Sequence, residues 1–390
     1  MRNLSLVTLG VVLSLLLCEL LLRLLGVGYA VFVWTDPVRG VAHIPGAKGG
    51  PVLSDGTRQI QINSDGWRGP EIPLQHPSGT LRIALLGDSF IEAFEVPFEQ
   101  TVGEVIARQL TALRKSPVQV LNFGEGGYGT AQEFLTLQNN VWKYSPDLVL
   151  LAITTGNDIS DNYRPLKKLD NVPYFVFRGS NLVLDTTFRR TETYRSRALW
   201  TRRLLLVVQH SRLAQLVNRI RHIRRKETLR AANTNAVPGE EVGLQSAVHL
   251  PPTTPEWQEA WRVTEGILRL MRDDCRKHHT PFLIVTLTRA IQVTPDQDKK
   301  ERFMQKLGTK DLFYPERRLD EFGRREGIPV FNLAPIMARE ADERRVYFHA
   351  AQGSEGIGHW NAEGHRAAGE LIAGWLAQEL IHPSSTNPEP

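Results

Sequence analysis

The sequence predicts an α/β protein: a three-layer sandwich with helices on both faces of a central parallel sheet, preceded by an N-terminal transmembrane helix. Three observations lead there. From residue 82 onward, short apolar runs alternate with stretches of helical periodicity, the pattern of parallel strands joined by crossover helices. The run at 147–153 is apolar at every position after its first, as suits a strand covered on both faces. Residues 4–18 carry no charge, and the apolar character resumes after Glu19 and again after Arg23, as far as Trp34. With 42% hydrophobic and 23% charged residues in a chain of 390, there is material for a large core.

The apolar run is the first element in order. A bilayer core needs about 20 mostly apolar residues as helix, and residues 1–34 supply them if Glu19 or Arg23 reaches an interface. These two charges are four apart and can pair on one helix face. The run is read as an uncleaved membrane anchor. A cleaved signal peptide and a buried helix are the alternatives, the former lacking an Ala-x-Ala-like site. Arg2 and the amino terminus precede the span and Arg23 lies near its end. The expected orientation is therefore a cytoplasmic amino terminus with the following domain outside, periplasmic in a bacterium.

Residues 35–80 are rich in Pro, Gly and polar residues and read as an extended lead-in, with a turn at 62–69 between short extended pieces. Residues 81–380 form the main domain. Strands are expected at 82–86, 118–122, 147–153, 282–287 and 330–333. Helices are expected at 102–113, 131–142, 257–278, 316–326 and 362–380. The tail at 381–390 is Pro-, Ser- and Asn-rich, a disordered composition. No internal repeat is visible.

An insert at 160–255 breaks this rhythm. Between Arg189 and Arg230 there are thirteen Lys/Arg against two acids, Glu192 and Glu227. Leu213, Leu216, Val217, Ile220 and Ile223 follow helical spacing with arginines between them, a cationic amphipathic helix. It is read as a helix packed on the domain, with an anionic membrane surface or an anionic partner as alternatives. Nucleic acid is not expected as a partner, because no aromatic platform or binding motif accompanies the charge. The two cysteines, Cys18 and Cys275, imply no disulfide framework, and no Cys/His cluster suggests a metal. No cofactor is expected.

Ser89 follows the first predicted strand in a tight Gly87-Asp88-Ser89 turn. The glycine-rich stretch 122–130 follows the second strand, and Gly156-Asn157 follows the third. All three therefore gather at the carboxyl edge of one parallel sheet, where such folds keep their chemistry. Ser89 is a candidate nucleophile. The Ser89 and Gly127 N–H groups and the Asn157 amide are candidate donors to an oxyanion. His359 lies two residues before Asn361, a good N-cap for the closing helix, in what reads as a Gly-rich loop. It is the candidate base. His365, one turn further on, is read as structural, with base as the alternative. Asp88 and Asp158 are read as loop braces.

These four segments, Gly87-Asp88-Ser89, Asn122–Thr130, Thr155-Gly156-Asn157-Asp158 and Gly356–His365, resemble the SGNH (GDSL-type) hydrolase family in its motif order. The resemblance covers roughly 80–160 and 255–380. It implies a flavodoxin-like sandwich and a covalent Ser89–His359 acyl-enzyme mechanism, with an oxyanion hole from Ser89, Gly127 and Asn157. The sequence departs from the family where an aspartate usually stands three residues before the histidine. That position is Gly356. Glu355 or a backbone carbonyl would then orient His359. The expected activity is that of a membrane-tethered serine esterase on a small-molecule, lipid or polysaccharide ester. The alternatives are an O-acyltransferase acting on a surface polysaccharide and a binding or assembly protein with a decayed pocket.

Overall fold

A computed structural model of the chain describes residues 2–50, 60–198, 208, 210–232, 245–351 and 354–381. Five parallel strands form the central sheet: β1 (Leu81–Gly87), β2 (Val118–Gly124), β3 (Leu148–Thr154), β4 (Phe282–Leu287) and β5 (Val330–Asn332). Their spatial order is β5-β4-β3-β1-β2, and every pairing is parallel. The chain leaves β1 toward β2 on one side and reaches β3 on the other. That reversal is a switch point at the carboxyl ends of β1 and β3, the place where open α/β sheets bind ligands.

The pleat divides the strands between two cores. Ala84, Leu86, Val149 and Leu151 face α3 (Thr130–Thr136), α5 (Pro255–Lys277) and α6 (Tyr314–Glu326). Ile83, Leu85, Leu148 and Leu150 face α2 (Val102–Arg114), α7 (Leu333–Arg344) and α8 (Ala362–Ile381). This is the expected three-layer sandwich. Every residue of β3 is buried, which explains its unbroken apolar run.

Some elements differ from the sequence reading. The strand expected at 330–333 ends at Asn332, and Leu333 begins α7, which the sequence reading had not placed. The helix expected at 131–142 stops at Thr136 and continues as a wide turn, Leu137–Val141, and a tight one, Trp142–Tyr144. The insert is not purely helical. Tyr174–Arg178 and Asn181–Asp185 form an antiparallel hairpin with Gly179 at φ 62° in its turn. Alternation wins over helix there because Phe175, Leu182 and Leu184 find cover on the α5 face. Arg262 of α5 stacks on the Phe177 ring at 3.7 Å.

The lead-in is a docked layer. Val33–Asp36 pairs with Gly40–His43, and Trp67 is fully buried with its ring edge against Phe123. The N-terminal helix, α1 (Arg2–Leu24), contains one apolar segment, Leu6–Leu24, of mean hydropathy 2.2 and with none of it buried. That is long and apolar enough to cross a membrane. Within it Arg23 Nε donates to Glu19 Oε1 at 2.8 Å, the pairing expected from their spacing. The cationic helix of the insert is α4 (Arg212–Ala232). The tail expected to be disordered lies outside the described residues beyond Ile381.

Candidate active site

The turn after β1 places the hydroxyl. Asp88 caps the short helix Ser89–Glu92, its Oδ1 accepting the Phe90 N–H at 2.9 Å. Ser89 stands at the first position of that helix, half-buried, just past the carboxyl end of β1. Ala93, at φ 55°, ends the helix in a left-handed turn. The chain then doubles back, so that Glu95 returns to the same side as Ser89.

His359 arrives from the other end of the chain. It lies in a strand rather than the expected loop: β6 (His349–Ala351) and β7 (Ser354–Trp360) form a hairpin ahead of α8. Its Nε2 is 2.7 Å from Ser89 Oγ. Its Nδ1 is 2.9 Å from Glu95 Oε1. Since a carboxylate only accepts, Nδ1 carries a proton. In the neutral ring Nε2 is then the lone pair facing the serine, the tautomer a general base requires. Phe90 packs edge-on to the imidazole with centroids 4.9 Å apart. Behind it, His349 Nδ1 donates to Gly358 O at 2.7 Å, and Thr288 Oγ1 links His349 Nε2 to Trp360 Nε1 at 2.8 Å each.

The expected orienting group is corrected here. Glu355 is exposed in the hairpin, opposite Ala350, and Glu95 holds the far nitrogen of His359. The backbone explains why no acid stands at position 356. Gly356 has φ 70°, and a Cβ there would lie 3.1 Å from the Tyr347 ring. An aspartate would be strained and crowded at this point.

The electrostatics follow from these contacts. Burial opposes charge on His359, but the hydrogen bond and negative charge of Glu95, with Asp88 and Glu92 nearby, push its pKa up to about 9. Burial likewise opposes ionisation of Glu95, yet His359 outweighs it and holds the carboxyl below its ordinary value. At neutral pH the resting pair is imidazolium and carboxylate. Burial drives His365 down to about 3, and its Nδ1 accepts the Val102 N–H at 3.3 Å.

The three expected donors lie in the segments that follow β1, β2 and β3. Among the described residues, the N–H groups of Ser89 and Gly127 make no hydrogen bond. Gly127 sits at φ 81° with open space around it. Its carbonyl accepts from Lys167 Nζ at 2.9 Å, and Lys167 also pairs with Asp161. Asn157 Nδ2 donates to Asp88 Oδ2 at 3.1 Å, and its side chain also hydrogen-bonds the Asp161 carboxyl. Asp158 Oδ2 accepts the Thr154 N–H at 2.7 Å and fixes that loop.

Sequence reasoning missed the part the lead-in takes in this site. Arg68 is buried and clasps the 92–96 turn, its guanidinium donating to the carbonyls of Glu92 (2.8 Å), Ala93 and Val96 (2.6 Å). It thus fixes the turn that presents Glu95. His43 is buried between Glu92 (2.7 Å) and Glu125 (3.0 Å). Burial resists its charge, but the two carboxylates raise its pKa to about 10. No run of residues in 35–80 marks these two as different from other loop polar groups.

No protein-family model matches the chain, and no curated protein matches it. Solved structures do. One is of a protein described as lipolytic, of the G-D-S-L family, from Desulfitobacterium hafniense: 11% identity, TM-score 0.36, covering 75% of this chain and 98% of that one. A second is an acetyl xylan esterase: 11% identity, TM-score 0.39, covering 76% and 99%. A third is a lipase/acylhydrolase from Enterococcus faecalis: 12% identity, TM-score 0.36, covering 77% and 96%. Likenesses of this size carry no functional conclusion.

Proposed function

We propose that the chain is a serine esterase, tethered to a membrane by α1, which cleaves carboxylic esters through an acyl-enzyme on Ser89. The contact series Ser89 Oγ to His359 Nε2 (2.7 Å) and Nδ1 to Glu95 (2.9 Å) is the observation that supports it. Neutral His359 takes the serine proton as Oγ attacks the ester carbonyl. Glu95 stabilises the imidazolium that forms. The carbonyl oxygen, now negative, is received by the Ser89 and Gly127 N–H groups and the Asn157 amide. Each such donor contributes about 2.7–4 kcal/mol to the transition state. His359 returns its proton to the departing alcohol. Water, activated by the same ring, then releases the acid and restores Ser89.

The full chain in detergent should hydrolyse a short acyl ester, and Ser89→Ala should abolish turnover with the fold unchanged by circular dichroism. Equal rates in the two proteins would rule the proposal out.

A further inference from the structure

The one acidic residue inside the apolar segment of α1 has a defined partner. The Glu19 carboxylate accepts the N–H groups of Arg212 and Leu213, both at 2.9 Å, and the Ser211 hydroxyl at 3.0 Å. It therefore caps the start of α4. Arg23 reaches the His210 carbonyl beside it, and Gln215 Oε1 accepts the Tyr29 N–H at 2.9 Å. The amphipathic helix is thus fastened to the apolar one. Glu19 precedes the end of the apolar segment at Leu24 by about 7.5 Å of helix, at about 1.5 Å per residue. Interfacial helices seat their apolar face about 5–10 Å deep. The cap sets the start of α4 at that level.

The surface of α4 suits the same place. At about 100° per residue, Leu213, Leu216, Val217, Ile220 and Ile223 fall within an arc of about 120°. Arg212 and Arg219 flank one edge of the arc and Arg221 the other, and Arg224 falls within the arc toward the carboxyl end of the helix. Part of this arc is uncovered: Val217, Ile220 and Ile223 are 44%, 43% and 44% exposed, while Leu213 and Leu216 are half-buried. Arg219, Arg221 and Arg224 are exposed too, and the sequence continues with Arg225, Lys226 and Arg230. So many arginines exclude full insertion. A cavity of about 400 Å³ at the root of α4 is lined by Arg23, Lys48, His210 and Arg212, among others.

We infer that α4 lies in the surface of an anionic phospholipid bilayer, with its apolar arc toward the acyl chains, its arginines at the phosphates, and its depth set by Glu19. This rests on the reading of α1 as a membrane span and is independent of the catalytic chemistry.

The test uses the full chain in nanodiscs, either pure phosphatidylcholine or phosphatidylcholine with phosphatidylglycerol. A nitroxide on native Cys18, which is exposed on α1, reports the span. A nitroxide at Ile220→Cys in a Cys18→Ser background reports α4, because Cys275 is buried and escapes labelling. Accessibility to oxygen and to a water-soluble nickel chelate gives the depth. Both probes should be oxygen-accessible and nickel-shielded with phosphatidylglycerol present, position 220 about 5–10 Å below the phosphates and shallower in pure phosphatidylcholine. A position 220 open to nickel, shielded from both reagents by a second protein surface, or equally deep in the two lipids overturns the proposal while leaving α1 in place. A nickel-accessible Cys18 overturns the span reading and this inference with it.

Discussion

Replacing Glu95 by glutamine keeps the shape of the side chain and removes its charge. The charge is what raises His359 against the effect of burial. With a pKa of about 9, about 1% of the imidazole is neutral at pH 7, and the base works at about a hundredth of its capacity. The activity of the unsubstituted chain should therefore rise with pH toward a plateau above about 9. In Glu95→Gln the pKa moves back toward the ordinary 6.5, where about three quarters of the ring is neutral at pH 7. Glutamine, however, can offer its N–H to Nδ1 and so hold the wrong tautomer. Loss of an orienting carboxylate in this way costs up to about 10⁴ in kcat. The variant should show a plateau lower by roughly 10²–10⁴, a midpoint shifted to lower pH, and a deficit that narrows as the pH falls. The assay is kcat/KM for a phenyl ester by pH-stat from acid to alkaline pH, with Glu355→Gln as the control that leaves the profile unchanged. If Glu95→Gln keeps the original midpoint, or Glu355→Gln moves it, the assignment of Glu95 is wrong.

Further outcomes follow from neighbouring contacts. Arg68→Met should lower kcat by loosening the turn that carries Glu95. Its buried carbonyl partners lose their donor, at a cost of about 1.5–3 kcal/mol by urea denaturation, and the activity loss should appear in urea-free buffer where the fold is intact. His43→Leu strands Glu92 and Glu125 without their cation and should destabilise by about 3–5 kcal/mol. Because folding raises His43 from 6.5 to about 10, its contribution is complete below about 6.5 and is lost as pH rises through 10; His43→Gln should flatten this decline in thermal melts. Gly127→Ala meets no atom within 4 Å but forces an L-residue to φ 81°. It should cost roughly 1–2 kcal/mol of stability, and any shift of the N–H should appear as a fall in kcat with KM little changed.

Much of the sheet and the mouth of the site could be read from the residues. β1, β2 and β3 announce themselves because strands buried on both faces have few polar options, and the segments that follow them must emerge at one edge. Ser89, Gly127 and Asn157 are placed by that logic alone. His359 stands out in the sequence by its place ahead of the closing helix and within the Gly356–His365 segment, but its hairpin does not, since Gly356 and Gly358 at φ 70° and 76° look like loop residues in a sequence. Glu95 was invisible for a different reason. It reaches His359 through a left-handed Ala93 and a turn clasped by Arg68, neither of which has a local signature. A search near the histidine finds Glu355, adjacent in sequence but on an exposed edge. The 174–185 hairpin lies in the 160–255 insert ahead of its Arg189–Arg230 charge run, and its alternation and Gly179 turn are its only sequence signals.

Everything turns on whether the Ser89 hydroxyl is activated. The direct measurement is reaction of the full chain with a fluorophosphonate, followed by peptide mapping of the modified residue. The account predicts one adduct, on Ser89, forming faster as pH rises toward 9 and lost in His359→Ala. No adduct at any pH, an adduct on another serine, or equal labelling of Ser89 in His359→Ala would contradict it.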